Sequence, residues 1–196
     1  MEVVIIKSGN IRSVDYALRR LGITPMITDE PERIRNADCV LFPGQGEAST
    51  TIRYLRERNL DKLIKDLKQP VLGICIGMQL LCRCSEEGNA ECLGVFDAEV
   101  KRFMPQRHED KIPHMGWNAM TDVRSNLFVG VSDHRFVYFV HSYYVPVTEA
   151  TIAVTDYIHP FSAAMRKDNF YATQFHPEKS GRIGERILSN FLTLSR

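Results

Sequence analysis

Short, unbroken apolar runs alternate along the first half of the chain with longer amphipathic segments, and this alternation restricts the fold more than any other feature. Runs at residues 3–6, 25–28, 39–42 and 71–74 are rich in small and branched apolar side chains, while residues 11–21 and 50–68 carry helical spacing. A strand that is apolar at every position has both faces covered, so the rhythm predicts a parallel sheet sandwiched between helices. In the first helical segment Ile11, Val14, Ala17, Leu18 and Leu21 form one stripe, Arg12, Asp15, Arg19 and Arg20 lie off it, and Gly22 ends the helix. After about residue 86 the pattern changes to strand-like stretches at residues 93–103, 135–146, 151–155 and 170–175, and helical spacing returns at residues 183–194. The chain has 196 residues with no repeat and no long Pro/Gly/Ser linker, so one three-layer α/β domain over residues 1–196 is expected, with mixed or antiparallel strands in its later part.

The sharpest local signal is Val71-Leu72-Gly73-Ile74-Cys75-Ile76-Gly77-Met78-Gln79, a buried strand entering Gly-x-Cys-x-Gly and then a helix. This is the pattern of a nucleophile elbow with sulfur in place of oxygen. The flanking glycines fit a turn with no room for a Cβ, and the residue between them is thrust above the end of the sheet. A helix amino terminus beside Cys75 favours its thiolate, and the Ile76 N–H, next in the chain, is a natural oxyanion donor. An ordinary buried thiol competes with this reading until a base is found. Gln174-Phe175-His176-Pro177-Glu178 supplies one: Pro177 drives His176 toward an extended backbone, in which residues i and i+2 share a side and Glu178 reaches the imidazole. A third segment, Leu41-Phe42-Pro43-Gly44-Gln45-Gly46, runs from a strand into a glycine-rich loop that can offer another backbone N–H to an oxyanion. It lacks the lysine of a P-loop and the third glycine of a dinucleotide fingerprint.

Together these segments resemble the triad-type, class I glutamine amidotransferases over essentially the whole chain. The resemblance narrows to the glutaminase subunits of imidazole glycerol phosphate synthases through Ser8-Gly9-Asn10-Ile11-Arg12-Ser13-Val14, Pro113-His114-Met115-Gly116-Trp117-Asn118 and Tyr138-Phe139-Val140-His141-Ser142-Tyr143, with Glu178-Lys179-Ser180 closing the histidine motif. The loop Ile6-Lys7-Ser8-Gly9-Asn10 is shorter than is usual in that family. The resemblance implies a flavodoxin-like fold and a Cys75–His176–Glu178 triad that hydrolyses L-glutamine through a thioester. It implies an oxyanion site from Ile76 and the loop Gly44, Gln45, Gly46, and a grip on the substrate by Gln79, His141, Ser142 and Tyr143. It further implies no cofactor, and a (β/α)₈-barrel cyclase as partner in a heterodimer, met through Asn10, Arg12, His114, Trp117 and Lys179. Trp117, the only tryptophan, has plain core as its competing explanation.

Composition supports these expectations by exclusion. Lys plus Arg minus Asp plus Glu is 25 − 24 = +1, which offers no basic face for nucleic acid or an anionic membrane. The most apolar stretch, residues 71–82, is too short to span a bilayer, and Met1-Glu2 enters an apolar run without a basic leader, so a cytoplasmic protein with five reduced cysteines is expected. Cys39, Cys82, Cys84 and Cys92 lack zinc spacing and read as packing thiols; His108, His134 and His159 read as surface or hydrogen-bonded histidines. The pair Glu86-Glu87 reads as a solvated helix end. A class I glutaminase serving another acceptor, an independent γ-glutamyl hydrolase and a silent α/β binding subunit are the alternatives.

Overall fold

The computed structural model of the protein describes residues 1–8, 11–44 and 46–194. In chain order the elements are β1 (Val3–Ile6), α1 (Ile11–Arg20), β2 (Met26–Thr28), α2 (Pro31–Asn36), β3 (Cys39–Gly44), α3 (Ala48–Glu57), α4 (Leu60–Asp66), β4 (Val71–Cys75), α5 (Ile76–Leu81), β5 (Cys84–Ser85), β6 (Ala90–Glu91), β7 (Glu99–Arg102), β8 (His114–Ala119), β9 (Phe136–His141), β10 (Tyr143–Tyr144), β11 (Thr151–Tyr157), β12 (His159–Lys167), β13 (Phe170–Thr173) and α6 (Gly181–Thr193). A seven-stranded sheet runs β11-β12-β13-β4-β3-β1-β2. Its five strands from β13 to β2 are mutually parallel, and β12 and β11 continue it antiparallel. The parallel part, read β2-β1-β3-β4-β13, has the flavodoxin strand order, in which ligands sit beyond the carboxyl ends of the strands. The continuous runs of β1, β3 and β4 are buried at every position, as strands covered on both faces must be.

Helix α1 buries Val14, Ala17 and Leu18 of the expected stripe, and Gly22 follows it with φ +79°, the left-handed conformation of a helix stop. The single amphipathic segment expected over residues 50–68 is instead two helices. Asn59 adopts φ 56° between α3 and α4, and this turn lets Ile52, Leu55, Leu60, Leu63 and Ile64 all reach the core. Asn tolerates the left-handed region better than other non-glycine residues, which is why helical spacing alone conceals the break. Besides the two-residue strands β5 and β6, two longer strands carry no clear sequence signal. β8 contains Gly116 and polar residues and pairs only with β9; β12 begins His159-Pro160, where proline demotes a strand pattern. The outer edge of the seven-stranded sheet is covered: Thr121 and Val154 exchange backbone hydrogen bonds across it, and Arg124 N–H donates to the Ile152 carbonyl.

The turn from β4 into α5 is held by three glycines. A Cβ on Gly77 would collide with the Phe42 carbonyl, one on Gly44 would lie 2.5 Å from the Ile76 Cβ, and one on Gly73 would meet the Leu81 side chain at 2.8 Å. α5 thereby sits directly on β3 and β4, and its first residue follows Cys75 with no intervening loop. Backbone carbonyls cannot yield as a flexible side chain does, so Gly77→Ala is expected to destabilise the chain by about 3 kcal/mol or more, read as a lowered urea midpoint at unchanged slope.

Candidate active site

Cys75 occupies the junction with φ 54° and ψ −108°, outside the regions that L-residues favour. Such a conformation costs on the order of 1–3 kcal/mol and persists only where surrounding packing dictates it, here the glycine contacts of α5. Its side chain reaches a cavity of about 290 Å³ at the carboxyl ends of β3 and β4. Gly44 and Gly46 line one side, the latter with φ +94°; Ile76 and Gln79 line the floor, and residues 140–143 the opposite wall.

His176 enters from the strand end after β13. Its φ of −96° and ψ of 97° are the extended backbone that Pro177 demands. His176 N–H donates to the Tyr138 carbonyl at 2.9 Å, and its own carbonyl accepts from Ser180 Oγ at 2.7 Å. Ser180 Oγ also accepts from Tyr138 N–H, so the histidine backbone is tied to β9 twice. The ring Nδ1 meets Glu178 Oε1 at 2.8 Å, with both side chains almost wholly buried. Burial works against the imidazolium, but the neighbouring Cys75 sulfur and the hydrogen-bonded Glu178 carboxylate outweigh it and push His176 up to about 10. A thiol and an imidazole lining one cavity, with a carboxylate orienting the imidazole, form a nucleophile–base–orienter set.

The wall opposite is a chain of neutral rings. The Tyr143 carbonyl can only accept, so His141 Nδ1, 2.7 Å away, carries the proton and donates to it. His141 Nε2 is then an acceptor for His114 Nδ1 at 3.0 Å, and His114 Nε2 accepts from Asn118 Nδ2 at 3.2 Å. His114 is stacked between Phe139 and Tyr157. Burial holds His114 down to about 4; His141 is pushed down to about 3, chiefly by burial and against its bond to Tyr143.

A family model, glutamine amidotransferase class-I, matches residues 4–194. The chain belongs to the class I glutamine amidotransferase family. It is 64% identical over 196 residues to the imidazole glycerol phosphate synthase subunit HisH of Bacteroides fragilis, covering 99% of this chain and 100% of that one. It is 47% identical over 202 residues to the protein of the same name from Yersinia pseudotuberculosis, again covering 99% and 100%. Among solved structures, a glutamine amidotransferase matches with TM-score 0.76 at 20% identity over 100% of this chain and 99% of that one. Another, from Thermotoga maritima, matches with TM-score 0.65 at 19% identity over 98% and 83%. At those identities the structural matches speak for the amidotransferase fold.

The amidotransferase cavity gathers Gly44, Gly46, Cys75, Ile76, Gln79, His141, Ser142, Tyr143 and His176, with Lys179 at its rim. Glu178 stands behind His176. Gln45 and Asn10 lie outside the described residues. Arg12 is exposed in the first turn of α1, and Trp117 is 56% exposed, which removes the core explanation for the lone tryptophan. His114, expected at a partner surface, is corrected: it is 4% exposed and bonded inward to His141, so it cannot present its ring to another chain. Glu87 is a second correction. It is half-buried on the cavity wall and accepts the Ala48 N–H at 2.9 Å at the start of α3, with burial pushing its carboxyl up. Its sequence neighbours gave no sign of this, because a three-residue 3₁₀ turn, Glu87–Asn89, brings it back over the sheet. Among the described residues no group of three metal-ligating side chains occurs, and no helix is long and apolar enough to cross a membrane. Burial raises the Cys82 and Cys92 thiols, Cys92 to about 12, as inert packing thiols require.

The two neutral histidines make stability depend on pH. Each has its folded pKa below its ordinary value of about 6.5, so the unfolded chain takes up protons that the folded chain refuses, and stability falls as pH drops from 6.5 toward 4. His176, raised, is protonated in the folded chain throughout, and because the unfolded ring is half protonated at 6.5 and nearly fully so at 5.5 it offsets only a few tenths of a kcal/mol of that loss. Urea denaturation at pH 6.5 and 5.5 is expected to differ by about 2 kcal/mol, and by about half that in His141→Gln.

Proposed function

We propose that this chain is the glutaminase subunit of an imidazole glycerol phosphate synthase, with residues 1–196 acting as one domain. What carries the reading is Cys75 at a strained strand–helix junction, lining one cavity with a His176 that Glu178 holds at 2.8 Å, in a chain 64% identical to a relative of that name.

Cys75 Sγ attacks the side-chain amide carbon of glutamine, and the carbonyl electron pair moves onto oxygen. The Ile76 N–H and the loop beginning at Gly44 receive that oxyanion. As the carbonyl re-forms, the C–N bond breaks and imidazolium His176 gives its proton to the departing nitrogen, leaving a γ-glutamyl thioester and ammonia. His176, now neutral, takes a proton from water; hydroxide adds to the thioester, and glutamate and the thiol are released. Glu178 keeps Nδ1 protonated, so Nε2 faces the reaction. Glu87, the acid on the cavity wall, complements the α-ammonium of glutamine, and Gln79 with the backbone of residues 141–143 takes the rest of the amino-acid end. No step calls for a cofactor.

Ammonia set free in water at neutral pH becomes ammonium, which is not a nucleophile, so its use requires delivery under cover. The partner is a (β/α)₈-barrel cyclase, bound as a heterodimer through Arg12, Trp117, Lys179 and Asn10. Exposed Met115 and Phe136 flank Trp117 on the β8–β9 ribbon and support an apolar contact there. The chemistry belongs in the cytoplasm, where the five thiols stay reduced.

Glutamate release from glutamine is expected to be strong when chain, cyclase and the cyclase's nucleotide ligand are combined, and absent with Cys75→Ala. Equal release by the chain alone would instead establish an independent hydrolase; none in the intact complex would point to a silent subunit. Glu87→Gln is expected to raise KM for glutamine about tenfold or more with a smaller change in kcat, since it removes contact to a part of the substrate that does not react.

A further inference from the structure

Gln174 precedes the His176 motif by two residues and is fully buried. Nothing in the mechanism above uses it, yet its side chain lies between Gln79 and Cys75. Gln79 Nε2 is 3.0 Å from the Tyr143 carbonyl and 3.0 Å from Gln174 Oε1, and Gln174 Nε2 is 3.8 Å from Cys75 Sγ. A backbone carbonyl only accepts, so the group of Gln79 facing Tyr143 is its NH₂. That NH₂ has two hydrogens: one serves Tyr143, the other must meet an acceptor, which orients Gln174 with its oxygen toward Gln79 and its NH₂ toward the sulfur. The direction of both amides is therefore set by one carbonyl. The same orientation leaves Gln79 Oε1 buried and without a hydrogen-bond partner among the described residues.

The polar neighbours of the sulfur divide by what they can do. The Val140 carbonyl, 3.9 Å away, accepts and serves only the thiol. The Gln174 NH₂, 3.8 Å away, donates, and a donor serves the thiolate. We infer that Gln174 is a positioning residue that donates a hydrogen bond to the Cys75 thiolate, its amide held in that sense by Gln79 and the Tyr143 carbonyl. This rests on the reading of Cys75 as nucleophile. A hydrogen bond to a charged atom is the stronger class, and losing it leaves the nucleophile less populated in its reactive form.

The test compares Gln174→Leu, which removes both amide ends, with Gln174→Met, which keeps the length and a weak acceptor for Gln79 but has no hydrogen for sulfur. In both, the rate of Cys75 alkylation by iodoacetamide at pH 7 is expected to fall about tenfold, its pH midpoint to move upward, and kcat in the complete synthase to fall about tenfold with KM for glutamine little changed. In the unaltered chain the Gln174 side-chain NH₂ resonance is expected to titrate with the thiol, a readout that needs no substitution and stands if either variant does not fold. Folded variants that alkylate and turn over like the unaltered chain, or an NH₂ resonance that ignores the thiol, overturn the role of Gln174. Glutamate release surviving in Cys75→Ala overturns the reading beneath it, so the two failures are told apart.

Discussion

The contact between Gly77 and the Phe42 carbonyl is the constraint from which the candidate site follows. Because α5 lies against β3 at backbone distance, the turn out of β4 has no slack, and Cys75 takes the positive φ that raises its sulfur above the sheet. The same closeness puts Gly44 beside Ile76, so two stretches of backbone converge on the space in front of the sulfur. A looser junction would bury the thiol among the apolar residues of β4 and leave the histidine motif facing an empty wall.

A second fixed point is the Tyr143 carbonyl. It accepts from His141 and from Gln79, and each bond decides the polarity of a longer series: through His141 and His114 to Asn118 on one side, through Gln79 and Gln174 to Cys75 on the other. One peptide oxygen thus determines tautomers and amide orientations up to the sulfur, with all of these groups uncharged. His176 stands apart as the cation, because a carboxylate holds its ring while His141 has only a carbonyl and another imidazole.

Much of this is legible in the residues themselves. Unbroken apolar runs carry the parallel strands, Gly-x-Cys-x-Gly carries the elbow, and Pro177 carries the extended backbone that sets His176 against Glu178. What escapes sequence reading depends on distance along the chain. Glu87 looks like one of two surface acids until a 3₁₀ turn folds it over the cavity, and His114 resembles a surface motif until β8 pairs with β9 and turns it toward His141. The break at Asn59 is invisible for another reason: a left-handed residue changes a helix's direction without disturbing apolar spacing on either side. β12 is hidden by its own composition, since His159-Pro160 reads as a turn although the residues after it are core.

The ends of the large sheet have a consequence for the protein as a solute. β2 at one edge offers only three residues, and β11 at the other has already spent backbone groups on Thr121 and Arg124. An unfinished edge is the usual template on which copies of a chain add strand to strand. Here neither end of the seven-stranded sheet offers a long one, so crowding this protein to high concentration gives little opportunity for growth of fibrils through that sheet, and its self-association is left to contacts between side chains.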